Sequence, residues 1–188
     1  MNKSTAIIYS TTDGHTLKIC QILAAHVRKD NCPVFFYAIE DFHERVEDFH
    51  SVIIGASVRY GKHSKLIREF IQKNRQALST IKTAFFSVNL VARKEGKDIA
   101  ENNPYLVKFL NEIKWQPDIV DVFAGKLDYR RYSFFDRIMV KLIMKLTNGP
   151  TKTDEPIVYT NWERVTQFGE KIMAAGFLHR AREAVSSN

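Results

Sequence analysis

The sequence has few cysteines and lacks several patterns that would identify a function at once. Its two cysteines, Cys20 and Cys32, form neither a CxxC pair nor a spacing typical of metal ligands, so we expect reduced thiols and no metal site. No run of about 18 uninterrupted apolar residues occurs, and the start of the chain shows no signal-peptide pattern, so we expect neither a membrane-spanning helix nor export. GxGxxG and Gly-Lys-Ser/Thr are also absent, which argues against a Rossmann dinucleotide site and a P-loop.

The composition is that of an ordinary globular protein, with an excess of positive charge. With 188 residues, 45% hydrophobic and 26% charged, the chain predicts one domain over residues 4–176, including an insert at 125–156, and a polar tail at 177–188. The net charge is +7. An acidic partner is therefore expected, and nucleic acid, an anionic membrane surface or a polycarboxylate substrate would each satisfy the sign of the charge.

Short apolar runs alternate with longer helical patterns along the chain. This alternation is typical of βα units and predicts an α/β fold with a doubly wound five-stranded parallel sheet and helices on both faces. The predicted strands are residues 5–9, 34–39, 51–55, 82–88 and 119–124, with a short further strand at 157–160. The predicted helices are residues 16–29, 66–71, 105–113, 133–147 and 161–175. Thr160 and Glu163 are spaced as a capping box for the last helix, and Cys20 falls on the apolar side of the first.

The loop after the first strand carries the clearest chemical signal. Residues 10–16 read STTDGHT and join a strand directly to the start of a helix. Hydroxyl side chains, free amide groups and the positive end of the helix dipole would together bind an anion there, and Gly14 would allow close approach of the backbone. The same residue types also cap helices, so the loop alone leaves both interpretations open.

Four stretches carry a family resemblance. Residues 10–16 resemble the loop that binds the phosphate of FMN in flavodoxins, except that Asp13 and His15 replace a hydroxyl and an amide residue. Together with VIIGASVRYG at 52–61, FSVNLVARK at 86–94, FDRIMVKLIMK at 135–145 and the closing YTNWERV at 159–165, they resemble the flavodoxin-like, quinone-linked protoporphyrinogen oxidases of bacterial heme synthesis. The resemblance covers residues 5–175.

This resemblance implies a reaction and a cofactor. FMN would accept hydride from protoporphyrinogen IX and pass the two electrons to a membrane quinone, menaquinone or ubiquinone, and this two-electron cycle would be repeated until the macrocycle is protoporphyrin IX. Three loops meet at the carboxyl edge of the sheet, where ligands bind in such folds. The predicted FMN-binding residues are Ser10, Thr11, Thr12, Asp13, Gly14, His15, Thr16, Ser57, Val58, Arg59, Tyr60, Gly61, Ser87, Val88, Asn89, Leu90, Val91, Ala92 and Arg93.

Two arginines in these loops are candidates for binding the substrate. Arg59 and Arg93 are suited to the propionates of the porphyrinogen, whereas Lys62 and Lys94 are expected to be solvated. Tyr60 is the one evident aromatic residue for stacking on the flavin, so one flavin face is expected to be open. The residue that accepts the proton is not identifiable from the sequence.

The insert concentrates the basic charge beside apolar residues. Arg137, Lys141 and Lys145 recur every fourth residue of the predicted helix 133–147, and apolar residues fill most of the remainder. This pattern predicts a helix at the interface of an anionic membrane, and thus a cytoplasmic protein held peripherally at the inner face of the cell membrane. Packing of the helix on its own domain or on a second subunit is the alternative. The predicted membrane contacts are Arg137, Lys141, Lys145, Phe134, Ile138 and Leu142.

Other functions on the same fold remain to be distinguished. A soluble NAD(P)H:quinone reductase would share the FMN site, and a non-enzymatic flavodoxin electron carrier would share the fold. A carrier would ordinarily be acidic, so the charge of +7 argues against it. No nucleic-acid-binding motif accompanies the basic stripe, so nucleic acid is not expected as a partner, while a homo-oligomer is left open.

Overall fold

A computed structural model describes residues 4–27, 33–146 and 148–177. Four predictions lie outside these ranges: Cys32, the predicted end of the first helix at residues 28–29, the predicted end of the insert helix at residue 147, and the tail beyond residue 177. Phe177, the first residue of the predicted tail, is fully buried, and its carbonyl accepts hydrogen bonds from the hydroxyls of Thr5 and Ser51. The packed domain therefore includes Phe177.

A parallel sheet forms the centre of the fold, as predicted. Its five strands are β1 (Thr5–Ser10), β2 (Val34–Ala38), β3 (Ser51–Arg59), β5 (Lys82–Asn89) and β6 (Ile119–Ala124). They pair in the order β2-β1-β3-β5-β6, and β4 (Lys62–His63) pairs antiparallel with the end of β3. A separate antiparallel ladder joins β7 (Lys126–Leu127) to β8 (Ile157–Val158).

Helices cover both faces of this sheet. They are α1 (His15–Val27), α2 (Lys65–Lys73), α3 (Arg75–Leu78), α4 (Pro104–Ile113), α5 (Phe134–Leu146) and α6 (Trp162–Ala174). Helices α1 and α6 pack on one face, while α2, α3 and α4 pack on the other. Helix α5 lies in the insert, which follows β6. None of the helices in the described ranges is long and apolar enough to cross a membrane.

Strand residues alternate between the two faces, so each strand contributes to two cores. Ile8 and Ile54 belong to the core beneath α2 and α4, whereas Ile7 and Ile53 belong to the core beneath α1 and α6. Cys20 is fully buried in the second core, which confirms its packing role. The central strands are therefore apolar on both sides, and the polar residues are left at their ends.

The third strand is longer than predicted. The prediction ended it at Gly55 and treated residues 56–64 as a loop, but β3 continues to Arg59 and turns back into β4. Tyr60 and Gly61, the two residues of this turn, both have positive φ angles, of 50° and 73°. This is the geometry of a two-residue hairpin turn with the twist that antiparallel strands require.

Two details near the last helix also differ from the prediction. The predicted strand 157–160 is shortened to Ile157–Val158 and pairs with the insert instead of with the main sheet. Asn161, not Thr160, caps α6, because its side chain accepts the hydrogen bond from the Arg164 amide. The hydroxyl of Thr160 is already engaged with the carbonyl of Ala124.

Gly55 generates a prediction about stability. It pairs with Phe86 on the neighbouring strand, and an added Cβ would lie 2.8 Å from the Cε1 atom of that buried ring. We expect Gly55→Ala to lower the free energy of unfolding by about 1–3 kcal/mol, because a close-packed ring must shift. Chemical denaturation measures this change. Gly169→Ala in helix α6 is the control that should not destabilise, because the added Cβ would lie 3.5 Å from the Cβ of His26 in α1, an ordinary contact distance.

Candidate functional site

A cleft opens where β1, β3 and β5 end, at the edge of the sheet that the sequence predicted. Three predicted loops meet there because these strands are neighbours and run parallel. The predicted residues that line it are Thr11, Thr12, Asp13, His15, Thr16, Ser57, Val58, Arg59, Tyr60, Gly61, Val88, Asn89, Leu90 and Val91. Ser10 lines an adjoining hollow that shares Thr11, Thr12 and Ser57 with the cleft.

The loop between β1 and α1 presents two buried hydroxyl groups at this edge. The Oγ of Ser10 and the Oγ1 of Thr16 are buried and have no hydrogen-bond partner among the described residues. An unpaired buried hydroxyl costs about 1–3 kcal/mol, so such groups are uncommon unless a ligand uses them. Gly14 lies between them in the sequence and has a φ angle of 77°. No described atom lies within 4 Å of the position that a Cβ would take there, so the backbone is accessible to a bound group.

The two unusual residues of this loop take positions that the sequence did not predict. The carboxylate of Asp13, which replaces a hydroxyl residue of the flavodoxin loop, lies 3.4 Å from the Arg59 guanidinium. The ring of His15 is half-buried and shares a 2.6 Å hydrogen bond with the hydroxyl of Thr160. Burial lowers the pKa of His15 to about 4, and nearby Lys126 acts in the same direction. His15 is therefore neutral at pH 7 instead of supplying a positive charge.

The hairpin turn between β3 and β4 links the sheet to the insert. The Arg59 guanidinium lies 2.6 Å from the carboxylate of Asp136, in the first turn of α5. The hydroxyl of Tyr60 donates to the same carboxylate. These contacts, Tyr60 first and Arg59 second, lower the pKa of Asp136 to about 2. The Arg59 guanidinium also lies over the ring of Tyr132, 5.1 Å from its centre. Arg59 is thus paired, not solvated.

A buried polar network supports the loop after β5. The Oγ of Ser87 forms a 2.8 Å hydrogen bond with the ring of His63, which is buried in β4. The side chain of Asn89 donates to Ser87 and accepts from the backbone amide of Ala92. It also exchanges hydrogen bonds with Asn103. Ser87 and Ala92, predicted to bind the cofactor, do not line the cleft; they belong to this network, which fixes the conformation of the loop.

Arg93 does not line the cleft, in contrast to Arg59. Its guanidinium donates to the carbonyl of Leu90 at 2.8 Å and lies 5.8 Å from the centre of the Tyr159 ring. The geometry therefore directs Arg93 toward the base of the insert. Of the two predicted substrate-binding arginines, Arg59 is the one that the structure brings to the cleft.

Several residues that line the cleft were not predicted. Tyr105 precedes the buried part of α4, Gly125 and Lys126 follow β6, and the insert supplies Tyr132, Val140 and Ile143. A partial signal existed for Val140 and Ile143, because FDRIMVKLIMK at 135–145 carried the family resemblance. It did not show that the insert folds back over the cleft, which depends on contacts between distant parts of the chain.

Helix α5 has three distinct faces. Val140 and Met144 are buried against Leu127 and Tyr129 of the insert. Arg137 and Lys145 are exposed along a second face, and Lys141, between them, is half-buried with its ammonium group 6.0 Å from the Tyr129 ring. The third face, named here the outer apolar face, consists of exposed large side chains: Phe134, Phe135, Ile138, Met139, Leu142 and Leu146.

The exposure of this outer apolar face is large for a globular protein. Phe134, Phe135 and Leu146 are 71%, 74% and 75% exposed. Contiguous exposed apolar residues of this size usually mark a surface that contacts a partner or a membrane. The alternative that the whole helix packs on its own domain is therefore wrong for this face, while Val140 and Met144 do pack inward.

Comparisons with known proteins agree with this geometry. A profile of the flavodoxin domain family matches residues 6–154. Protoporphyrinogen IX dehydrogenase (quinone) of Leishmania major is 44% identical over 172 residues, which cover 89% of this chain and 74% of that protein. The protein of the same name from Escherichia coli K12 is 41% identical over 169 residues, which cover 89% of this chain and 93% of that protein.

The solved structures show the fold alone. Oxidised flavodoxin 1 from Bacillus cereus aligns with a TM-score of 0.50 and 15% identity, covering 92% of this chain and 98% of that one.

The two sequence relatives align over most of their length, and they confirm the resemblance inferred from the loop and insert motifs. This chain belongs to the flavodoxin domain family and, within it, to the family of proteins named protoporphyrinogen IX dehydrogenase (quinone).

Proposed function

We propose that this protein oxidises protoporphyrinogen IX to protoporphyrin IX, with FMN as its cofactor and a membrane quinone, menaquinone or ubiquinone, as the acceptor. The observation that carries the proposal is the cleft at the carboxyl edge of the sheet, with two unpaired buried hydroxyls in its strand-to-helix loop. Relatives at 44% and 41% identity bear the name of this activity.

The residues of the cleft fit FMN. Ser10 and Thr16 would donate hydrogen bonds to its phosphate, and the start of α1 would add the positive end of a helix dipole. Asp13 would repel a phosphate, but its pairing with Arg59 offsets part of that repulsion. Residues 57–61 and 88–91 would lie beside the flavin ring. When bound, FMN supplies the ability to accept a hydride and to return the electrons to a second substrate.

One face of the flavin ring would be left uncovered for a substrate. Tyr60 is the only aromatic side chain in the two segments that would lie beside the ring, 57–61 and 88–91, whose other members are small, aliphatic or polar. Tyr132, Val140 and Ile143 border the cleft from the insert and would exclude water from the reacting region. With one uncovered face, donor and acceptor would use the same side in turn.

The insert would bring this cleft to the membrane that holds the quinone. The outer apolar face of α5 is suited to insertion among lipid headgroups and acyl chains, and exposed Arg137 and Lys145 beside it would attract anionic lipid. The opposite side of the same helix borders the cleft through Val140 and Ile143. A lipid-borne quinone would therefore reach the cleft without the enzyme crossing the bilayer.

Anaerobic mixing tests the proposed reaction. We expect protoporphyrinogen IX to bleach the flavin absorbance of the FMN-loaded protein, and a menaquinone analogue to restore it. NADPH should leave the spectrum unchanged. Bleaching by NADPH but not by protoporphyrinogen IX would instead identify an NAD(P)H:quinone reductase and would contradict the proposal.

Substitution of Thr16 by Val tests the position of the phosphate. Valine has nearly the same shape, and the lost hydroxyl has no protein partner, so the melting temperature of the FMN-free protein should not fall. The FMN dissociation constant should rise roughly 10-fold or more, because hydrogen bonds to charged groups contribute about 1.5–3 kcal/mol.

Thr5→Val is the matched control for this experiment. The hydroxyl of Thr5 lies at the opposite end of β1 and is bonded to Ser51 and Phe177. Its loss should lower the melting temperature and leave FMN affinity unchanged. If Thr16→Val also left FMN affinity unchanged, the phosphate would have to bind elsewhere.

Liposome flotation tests the membrane role of the insert. Because Arg137 and Lys145 are exposed, their replacement by Glu should release the protein from anionic liposomes and lower activity with long-tailed quinone while sparing activity with short, soluble quinone. Replacement of Phe134, Ile138 and Leu142 by Ser should also release the protein and lower activity with long-tailed quinone. It should not lower the melting temperature, since all three side chains are exposed.

The control places the same charge change at the other end of the sheet. Lys73→Glu with Lys82→Glu reverses two exposed charges at the end of α2 and the start of β5. This variant should still float with the liposomes. Equal release of both double variants would show a general effect of net charge and would remove the support for α5 as the membrane contact.

A further inference from the structure

The Arg59 side chain already holds two carboxylates. Asp13 lies 3.4 Å from one guanidinium nitrogen and Asp136 lies 2.6 Å from the other. We propose that Arg59 and Tyr60 form the recognition site for a carboxylate of the substrate, and that Asp136 occupies this site until that carboxylate displaces it. The inference deepens the proposed function, since it takes the substrate to be a porphyrinogen that carries propionates.

The geometry around Asp136 is that of a bound carboxylate ligand. One of its oxygens accepts from the guanidinium of Arg59, and the other accepts from the hydroxyl of Tyr60. A guanidinium and a phenol directed at the two oxygens of one carboxylate provide charge and orientation together. Both donors stand at the tight turn after β3, where the positive φ angle of Tyr60 fixes the direction of its side chain. A propionate would find the same donors in place.

A carboxylate of the substrate could reach these donors only by exchange. The guanidinium of Arg59 lies between the rings of Tyr132 and Tyr60, 5.1 Å and 5.9 Å from their centres, and its side chain is only 24% exposed. A third carboxylate on one guanidinium would be repelled by the two already present. Exchange keeps the number of carboxylates on the guanidinium at two, so it avoids this repulsion. Asp136 is the partner that we expect to leave, because it belongs to the insert, whereas Asp13 belongs to the loop between β1 and α1 of the sheet domain.

Displacement of Asp136 would also move the insert. The side chains of Val140 and Met144, in the second half of α5, are buried, whereas those of Phe134 and Phe135, in its first turn, are exposed. The contacts of Asp136 with Arg59 and Tyr60 join this first turn to the sheet domain. Tyr132 lies just before this first turn, with its ring centre 5.1 Å from the Arg59 guanidinium, and borders the cleft. Loss of the Asp136 contacts would therefore release the start of α5 beside Tyr132 and widen that end of the cleft for a macrocycle.

Asp136 has a second structural role that any test must preserve. The hydroxyl of Ser133 accepts from the Asp136 amide at 3.2 Å and donates to its carboxylate at 2.8 Å, which stabilises the start of α5. Asp136→Asn keeps one oxygen acceptor for Ser133, removes the negative charge and replaces the other oxygen with an NH2 group. Helix α5 should therefore still form in this variant, and circular dichroism of the FMN-loaded protein checks that it does.

The test compares two porphyrins that differ only in charge. Mesoporphyrin IX carries two carboxylates, and its dimethyl ester carries none. Binding of each to the FMN-loaded protein is measured by fluorescence quenching. We expect Asp136→Asn to bind the dicarboxylate about 10-fold more tightly, the scale of one charge-assisted hydrogen bond, and to bind the ester unchanged. Arg59→Gln should weaken dicarboxylate binding, and the gain from Asp136→Asn should vanish in the double variant.

Glu155→Gln is the control for general charge. It removes one negative charge from the same insert, where Glu155 is exposed and pairs with Arg130. Its affinity for the dicarboxylate should remain that of the unmodified protein. Equal tightening by Glu155→Gln and Asp136→Asn, or no tightening by Asp136→Asn, would overturn the proposed exchange.

Hydrogen exchange follows the movement of the helix directly. Mesoporphyrin IX should raise the exchange rate of the first turn of α5, and its dimethyl ester should not. Unchanged protection of α5 in the presence of the dicarboxylate would overturn the displacement. These readouts need no turnover, so an unmodified protein that binds the dicarboxylate by exchange but does not oxidise protoporphyrinogen IX would refute the proposed function and leave the exchange site standing.

Discussion

The parallel pairing of β1, β3 and β5 is the constraint on which the rest of the structure depends. It brings the ends of these three strands to one edge, and Gly55, paired with Phe86, leaves space for that ring between β3 and β5. The strand interiors are apolar on both faces, so polar chemistry is confined to the loops that follow them. The cleft is therefore a consequence of the sheet, and the loops determine what it binds.

The insert changes what this common fold can do. A flavodoxin sheet alone would leave the cleft bordered by its loops, but here Tyr132, Val140 and Ile143 add a wall from a separate ladder and helix. The same helix presents apolar side chains outward and basic side chains beside them. One element thus borders the cleft on one side and presents an exposed apolar and basic surface on another. Its connection to the cleft passes through Asp136, a single carboxylate shared by Arg59 and Tyr60.

Local patterns predicted most of the fold. Strand positions and the insert helix, predicted at 133–147 and observed at Phe134–Leu146, follow from periodicity within short windows, and the hydroxyl-rich loop 10–16 follows from its residue types between a strand and a helix. The extension of β3 was missed because its last residues are held by pairing with β4 across a turn in which Tyr60, a non-glycine residue, adopts a positive φ angle. The pairing of Arg59 with Asp136, 77 positions later, has no local signal either. The sequence therefore indicated that the Arg59 guanidinium was available to a substrate, whereas in the structure it is paired with Asp13 and Asp136.

The central claim is that one cleft serves the porphyrinogen and the quinone in turn. Initial rates measured at several fixed quinone concentrations, with protoporphyrinogen IX varied at each, test this claim most directly. If each substrate leaves before the other binds, the double-reciprocal lines are parallel, and this is the result we predict. Intersecting lines would show that both substrates bind together, which would contradict a single shared cleft.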